Sequence, residues 1–474
     1  GKDLSTYDSP SSLYHRELDL ESGIVRVAYQ TKDGIFAREC FLSYPHGVMA
    51  LRHTGLPCRV LLRRSAYLNT IRSADDRTLL ISGTTGDGGV SYVAGVRALG
   101  EGARTVGSVL RCPAQCDLLL AAATSFSAPA DASPDALEAA VLQTLQQAER
   151  LGYDALRNAH ISDFRGLMHA CTLQLDEHPA LSALPMDQRL KRYAEGNEDT
   201  GLEALYFTYG RYLLSACSRP GGLPANLQGV WNESNMPPWC CDYHINVNLQ
   251  MNYWGAYNTN LAETAEPLVR FLDSLRAPGR ETAKEYYNIA SDADHPENGW
   301  IAHTQSNPFG WTSPGWDFYW GWSTAAVAWL MLNIYDHYEF TGDIGFLSER
   351  IYPIMREAAR FYTQWLIWDE KQQRLVSSPT YSPEHGPVTI GNTVLAMPQP
   401  LDHGTNKVTV QVVYDYECKP AGSSTSIVTL TDQVKNIALN GISGHDAQEG
   451  DLARGALGAD RPGPGPGGRR RRRR

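Results

Sequence analysis

The stretch "CDYHINVNLQMNYW" at 241–254 places His244, Asn246 and Asn248 at alternate positions. If that segment is extended, its period of two puts one imidazole and two carboxamides on one face. Such a set can aim directed hydrogen bonds at one point, holding a hydroxyl-rich ligand or orienting a water. The same Asn residues could instead cap a helix that starts at Leu249. A second stretch, "SSPTYSPEHG" at 377–386, presents Glu384 on a loop stiffened by two Ser-Pro steps. A carboxyl held rigidly, in surroundings that raise its pKa, is what a general acid needs; the competing reading is a surface Glu in a turn.

Two further loops are rich in amides and aromatic rings. "GLPANLQGVWNESNMPPW" at 222–239 ends in Trp239, and "NGWIAHTQSNPFGWTSPGWDFYW" at 298–320 carries His303, Asn307, Asp317 and four Trp. Amides and ring faces together suit sugars, which offer hydroxyls and an apolar C–H face. Each loop could equally be a satisfied structural one, and a lone histidine such as His303 is more often structural than catalytic. The chain holds no Gly-x-Ser-x-Gly, no phosphate-binding loop, no Gly-x-Gly-x-x-Gly ahead of a helix and no metal-spaced His pair. Carboxylate chemistry without a cofactor or metal is what remains.

These loops need a scaffold. With 474 residues the chain exceeds a single core, and two domains are expected. Residues 1–130 read as β, with runs such as "GIVRVAYQT", "RTLLISGT" and "CDLLLAAAT" separated by turn residues at the spacing of a β-sandwich. Residues 131–185 read as a helical linker with one short strand, "TLQLDEH". Ser133 is placed to cap its first helix, with Pro134 in the first turn and Leu137, Val141, Leu145 and Ala148 on one face. Residues 186–397 read as helices alternating with long loops, which fits a barrel of paired helices with a loop-built cleft at one end. Within them "WSTAAVAWLMLNIYDHYEF" is apolar nearly all round and is expected to be buried. Residues 398–474 match nothing read from the motifs and are expected to form a disordered tail, opening with short β-like runs and ending in a Gly-, Pro- and Arg-rich segment that cannot bury a core.

The formal net charge of −10 argues against general nucleic-acid binding, the Arg469 to Arg474 run aside. No apolar run is long enough to span a membrane. Nine scattered cysteines fit reduced thiols and a cytoplasmic setting; a secreted protein whose leader precedes Gly1 fits them too. The sequence does not set the oligomeric state.

"LPANLQGVWNESNMPPWCCDYHINVNLQMNYW", "HYEFTGDIGFL", "YPIMREAARFY" and "SSPTYSPEHG" closely resemble glycoside hydrolase family 95, whose members are mainly α-L-fucosidases acting on 1,2-linked fucose, with some α-L-galactosidases. The resemblance runs from about Tyr14 to about Thr393. It implies an N-terminal β-sandwich, a helical linker, an (α/α)6 barrel and an inverting mechanism on a fucosylated oligosaccharide, with no cofactor. By motif, Glu384 matches the general acid, and Asn246 and Asn248 match the amides that position the attacking water. His244, and less directly His303 and Trp239, would contact the sugar. The family's Asp-Gly-Asn-Phe-Gly base motif and its later His-Arg-His motif are absent. Asp402, close after Glu384, has no surroundings like the base motif. The resemblance therefore implies a sandwich and a barrel that are both incomplete, the barrel lacking its second half. This leaves two outcomes: a fucosidase-type hydrolase, or a chain that at most binds sugar weakly.

Overall fold

The computed structural model describes residues 14–378, apart from 32–33, 65, 68, 87, 128–132, 291–297 and 316–320, and the backbone of 399–400, 406–418 and 428–439. Its contacts divide the chain into two units: 1–217 with 233–237 and 258–261, and the remainder.

The first unit is built on alternating strands. β1 (His15–Asp19), β2 (Ile24–Thr31), β3 (Gly34–Ser43), β4 (Val48–Thr54), β5 (Cys58–Val60), β6 (Asn69–Asp75), β7 (Thr78–Thr84), β8 (Ser91–Leu99), β9 (Arg104–Val106), β10 (Val109–Cys112) and β11 (Gln115–Thr124) succeed one another along the chain. Eight form one antiparallel sheet, ordered β1-β2-β3-β4-β11-β8-β7-β6, and three form a smaller one, β5-β10-β9. Period two sorts the side chains. Leu80, Val93, Leu119 and Phe41 face one core, whereas Leu79, Val96 and Leu118 face another shared with Leu110 of the small sheet. The first core is closed by α1 (Pro134–Leu151) and α2 (Tyr153–Met168), through Leu137, Val141, Leu145, Tyr153 and Leu156. Ser133 caps α1 as its position requires, its Oγ accepting from the Ala136 N–H at 3.2 Å. The helical linker is thus a covering layer of the sandwich.

One element read from sequence is corrected here. "TLQLDEH" at 172–178 has no strand ladder among the described residues. Alternation alone does not make a strand without a neighbour to receive its hydrogen bonds. α3 (Pro179–Ser182), α4 (Met186–Ala194) and α5 (Thr200–Cys217) complete this unit.

The second unit contains β12 (Tyr243–His244), α6 (Asn248–Asn258), α7 (Glu266–Ser274), α8 (Arg276–Tyr287), β13 (Gln305–Ser306), α9 (Ala326–Thr341) and α10 (Tyr352–Trp365). Their apolar stripes meet inside: Leu268 and Leu272 of α7, Leu330 and Ile334 of α9, and Ile354, Ala358 and Phe361 of α10 are buried. α9 is not buried all round, because Leu332 and Phe340 stay exposed. Residues 300–303 run through the middle of this core, fully buried. They approach α10 closely enough that a Cβ on Gly299 would lie 2.1 Å from the Phe361 backbone N, so only glycine fits there. Further on are β14 (Ile367–Asp369), β15 (Arg374–Ser377) and β16 (Gln399–Pro400) in one antiparallel sheet, then the paired backbones of β17 (Asn406–Cys418) and β18 (Val428–Leu439). These last two fall within the 398–474 segment expected to be disordered, where the β-like runs pair as a two-stranded ladder; residues 440–474 lie outside the described residues.

Candidate active site

The His-Asn-Asn stretch is extended only at its start. β12 pairs with β13 so that Tyr243 opposes Ser306 and His244 opposes Gln305, and the Ile245 N–H donates to Thr304 O at 2.7 Å. Ile245 is fully buried, and residues 245–247 then turn into α6. The burial of α6 forces the turn, because Leu249, Gln250 and Tyr253 must all face inward from a helix that opens at Asn248. A period of two therefore does not carry His244, Asn246 and Asn248 onto one face. The helix opens at Asn248, one residue before the expected start, so Asn248 is a helical residue preceded by Val247. His244 and Asn246 are half-buried, and Asn248 is exposed.

The partner that β12 does set beside His244 is Asp242, one alternation earlier. Its Oδ1 lies 3.5 Å from His244 Nε2, with side-chain exposures of 17% and 11%. Burial pushes the Asp242 carboxyl up to about 7. Sequence reading passed over this residue, although Asp242, His244, Asn246 and Asn248 all alternate. A carboxylic acid poised near neutrality beside an imidazole is suited to proton transfer, or to holding the ring in one tautomer.

The 222–241 loop is fastened from several sides. Tyr253 Oη accepts from the Ala225 N–H at 2.9 Å, Asn252 Nδ2 donates to Asn226 O at 3.2 Å, and the Leu227 N–H donates to Asp242 O at 3.1 Å. The Cys241 thiol donates to Asn226 Oδ1 at 3.1 Å. Trp239, Cys240 and Cys241 have φ of 49°, 56° and 51°, three consecutive side-chain-bearing residues in the left-handed region. Each costs roughly 1–2 kcal/mol, and strain of this kind collects at sites where geometry is imposed for function. Here it lifts Trp239 out until 70% of it is exposed, offering an indole face.

His303 is placed differently from the expectation of sugar contact. It has 0% exposure. Its Nδ1 accepts from the Ser323 N–H at 3.1 Å, so Nε2 carries the proton and donates to Tyr287 Oη at 3.1 Å. The ring stacks on Tyr287 and packs at a tilt against Trp322, which also touches Tyr287. With no surface and both nitrogens engaged, it supports the 300–306 segment and, through Thr304 O, the strand bearing His244. Glu384 and Asp317 lie outside the described residues. Among the described residues no group of three or more His, Cys, Asp or Glu could hold a metal, and no helix is long and apolar enough to cross a membrane.

Because Asp242 is a buried acid, it should weaken the fold as pH rises. Its proton stays on in the native state up to about 7 but leaves the unfolded chain near 4, so stability falls between those values. Asp242→Asn is expected to raise stability at pH 8 by about 4 kcal/mol, about 1.4 kcal/mol for each of roughly three pH units, and to leave it unchanged at pH 4. Urea melts at the two pH values test this; an equal change at both would show that Asp242 does not titrate as described.

The chain combines a β-sandwich with a helical unit. It shares its fold with a solved structure described as "Putative kojibiose phosphorylase from human microbiome", at a TM-score of 0.55 and 11% identity, over 83% of this chain and 50% of that one. Residues 152–415 match the glycosyl hydrolase family 95 catalytic domain and residues 3–129 match the glycosyl hydrolase family 65 N-terminal domain. The chain belongs to glycoside hydrolase family 95. It is 33% identical over 405 residues to "Probable alpha-fucosidase A" of Aspergillus niger, covering 80% of this chain and 50% of the relative. It is 30% identical over 424 residues to "Alpha-L-fucosidase 2" of Arabidopsis thaliana, covering 78% and 48%. The chain thus spans about half the length of the curated relatives it matches. Both matched spans reach beyond the limits read from motifs, to 415 rather than about 393, and from 3 rather than about 14.

Proposed function

We propose that the chain is a glycosidase of the α-L-fucosidase type, acting with inversion on terminal 1,2-linked L-fucose of an oligosaccharide. The observation that carries the reading is the recessed Asp242–His244 pair, 3.5 Å apart, with His244 on β12 and Asp242 just before it, within the span that matches the family 95 catalytic domain. The names of the relatives supply the sugar. Inversion needs an acid on the leaving oxygen and a base-activated water on the opposite face. In this reading Glu384 is the acid, Asn246 and Asn248 position the water, and His244 holds a sugar hydroxyl with Asp242 behind it. Trp239 offers its indole face to the C–H face of the ring, and His303 acts as support. We read the helical unit as part of an (α/α)6 barrel. A second reading, sugar binding without turnover, rests on the exposed Trp239 indole beside the recessed pair.

Proton NMR of the purified chain with a 1,2-fucosylated trisaccharide separates these. β-Fucose signals appearing before α-fucose mean inversion and a working base. No release, together with fucose-dependent shifts of the tryptophan indole signals, means binding alone; neither would overturn both readings. Where turnover is found, Glu384→Gln is expected to lower it at least 10²–10⁴-fold, the contribution of a positioned acid, while leaving sugar binding intact. Undiminished turnover in that variant would remove Glu384 from the mechanism.

A further inference from the structure

Three of the nine cysteines meet in the first unit. β5 and β10 pair with Cys58 directly opposite Cys112. Cys116 of β11 belongs to the same core cluster as Cys112, and Cys58 packs against it. Directly opposed residues of an antiparallel ladder have Cα atoms about 4.5–5.5 Å apart and side chains on one face. A disulfide spans about 4.4–6.8 Å between Cα atoms, so the register alone lets Cys58 and Cys112 close a bond without moving the backbone. All three thiols are free, and Cys112 lies within hydrogen-bonding reach of both Cys58 and Cys116.

The three differ in access and in charge. Cys112 and Cys116 are buried, while Cys58 is half-buried and so within reach of a solute. His53, itself buried, is opposed across the large sheet by Arg38 on one side and by Cys116 on the other. The hydrogen bond from Cys112 lowers the Cys58 thiol below the usual thiol range, against the opposing effect of its partial burial, with the Arg38 guanidinium lowering it further. A thiolate is the nucleophile in disulfide exchange, and one with a buried resolving partner yields a protein disulfide.

We propose that Cys58 and Cys112 form a thiol pair that exchanges with low-molecular-weight disulfides, Cys58 attacking and Cys112 resolving. The Cys58 thiolate bonds to one sulfur of the disulfide RSSR and displaces the other as RS⁻. The Cys112 sulfur then bonds to Cys58 Sγ and displaces the second RS⁻, which takes the Cys112 proton. In sum the dithiol is oxidised to one disulfide and RSSR is reduced to two thiols. The product staples β5 to β10, closing one edge of the small sheet.

The test uses the full native chain with excess glutathione disulfide, then alkylation of remaining thiols, digestion and mass spectrometry. Wild type is expected to give a Cys58–Cys112 cross-linked peptide. Cys112→Ser should stop at a glutathione adduct on Cys58, and Cys58→Ser should give neither. Cys116→Ser should keep the cross-link. If Cys112→Ser does not fold, the wild-type peptide and Cys58→Ser still decide. Cys58 recovered alkylated in wild type, with glutathione only on the exposed Cys240, would overturn the proposal. So would a Cys112–Cys116 bond as the product.

Discussion

Glu357→Gln is expected to destabilise the helical unit by about 3–5 kcal/mol, the cost of breaking a buried ion pair on one side. Glu357 sits on α10 with 0% exposure and faces two arginines of α8. Arg280 gives it two bonds, Nε at 3.0 Å and Nη2 at 2.7 Å, and Arg276 reaches the other carboxylate oxygen while also holding Asp273. Gln keeps the shape and removes the charge, leaving two guanidinium groups crowded in a poorly solvated place. The damage should travel to the site. Asn298 Nδ2 donates to Arg280 O at 3.1 Å, the Ile301 N–H to Gly279 O at 3.2 Å, and Trp300 Nε1 to Ile354 O at 3.1 Å. Through these bonds α8 and α10 hold the segment that carries β13, and β13 holds β12. Urea melts should register the loss, with weaker sugar binding before global unfolding. A change under about 1 kcal/mol would mean that the charge is solvated after all. Replacing Glu357, Arg276 and Arg280 together by Met should cost less than the single change, because no buried charge is left behind.

The helical face of α10 was legible, since Ile354, Ala358 and Phe361 recur at helical spacing and are buried. So were the Ser133 cap and the alternation of Leu79 and Leu80 to opposite faces of a strand. Those features depend on near neighbours in sequence. The clamp on Glu357 was not legible, because its partners lie 77 and 81 positions away and nothing local marks them. The site was half legible for the same reason. Residue types flagged the 241–254 stretch as unusual, but the period-two argument assumed a strand that the inward-facing helix α6 cuts short. That assumption directed attention forward to Asn246 and Asn248 rather than back to Asp242. His303 was visible as a histidine among tryptophans; its burial depends on Tyr287 and Trp322 closing over it, which spacing does not reveal.

The second large effect is acid sensitivity centred on His303. Burial holds its pKa down to about 3, whereas an unfolded histidine titrates near 6.5. The unfolded chain therefore takes up a proton that the folded one refuses. Stability from this group is complete above about 6.5 and is lost as pH falls toward 3, at about 1.4 kcal/mol per pH unit. By pH 5 the loss should be about 2 kcal/mol, and near pH 3 about 4–5. Asp242 runs in the opposite direction over much of the same range, since its folded pKa is about 7 and its proton favours the native state as pH falls. Between about pH 4 and 6.5 the contributions of these two groups should nearly cancel, so neither shows in the wild-type curve alone. Each single substitution should uncover the other group. Asp242→Asn should make stability fall on acidification, and His303→Gln, less stable at neutral pH for its lost stacking, should gain stability as pH is lowered from 7 to 5. Urea melts of the three proteins from pH 4 to 8 measure both slopes. Parallel curves for wild type and His303→Gln would mean that the imidazole finds a way to charge inside the fold, and that the 300–306 segment is looser than its packing implies.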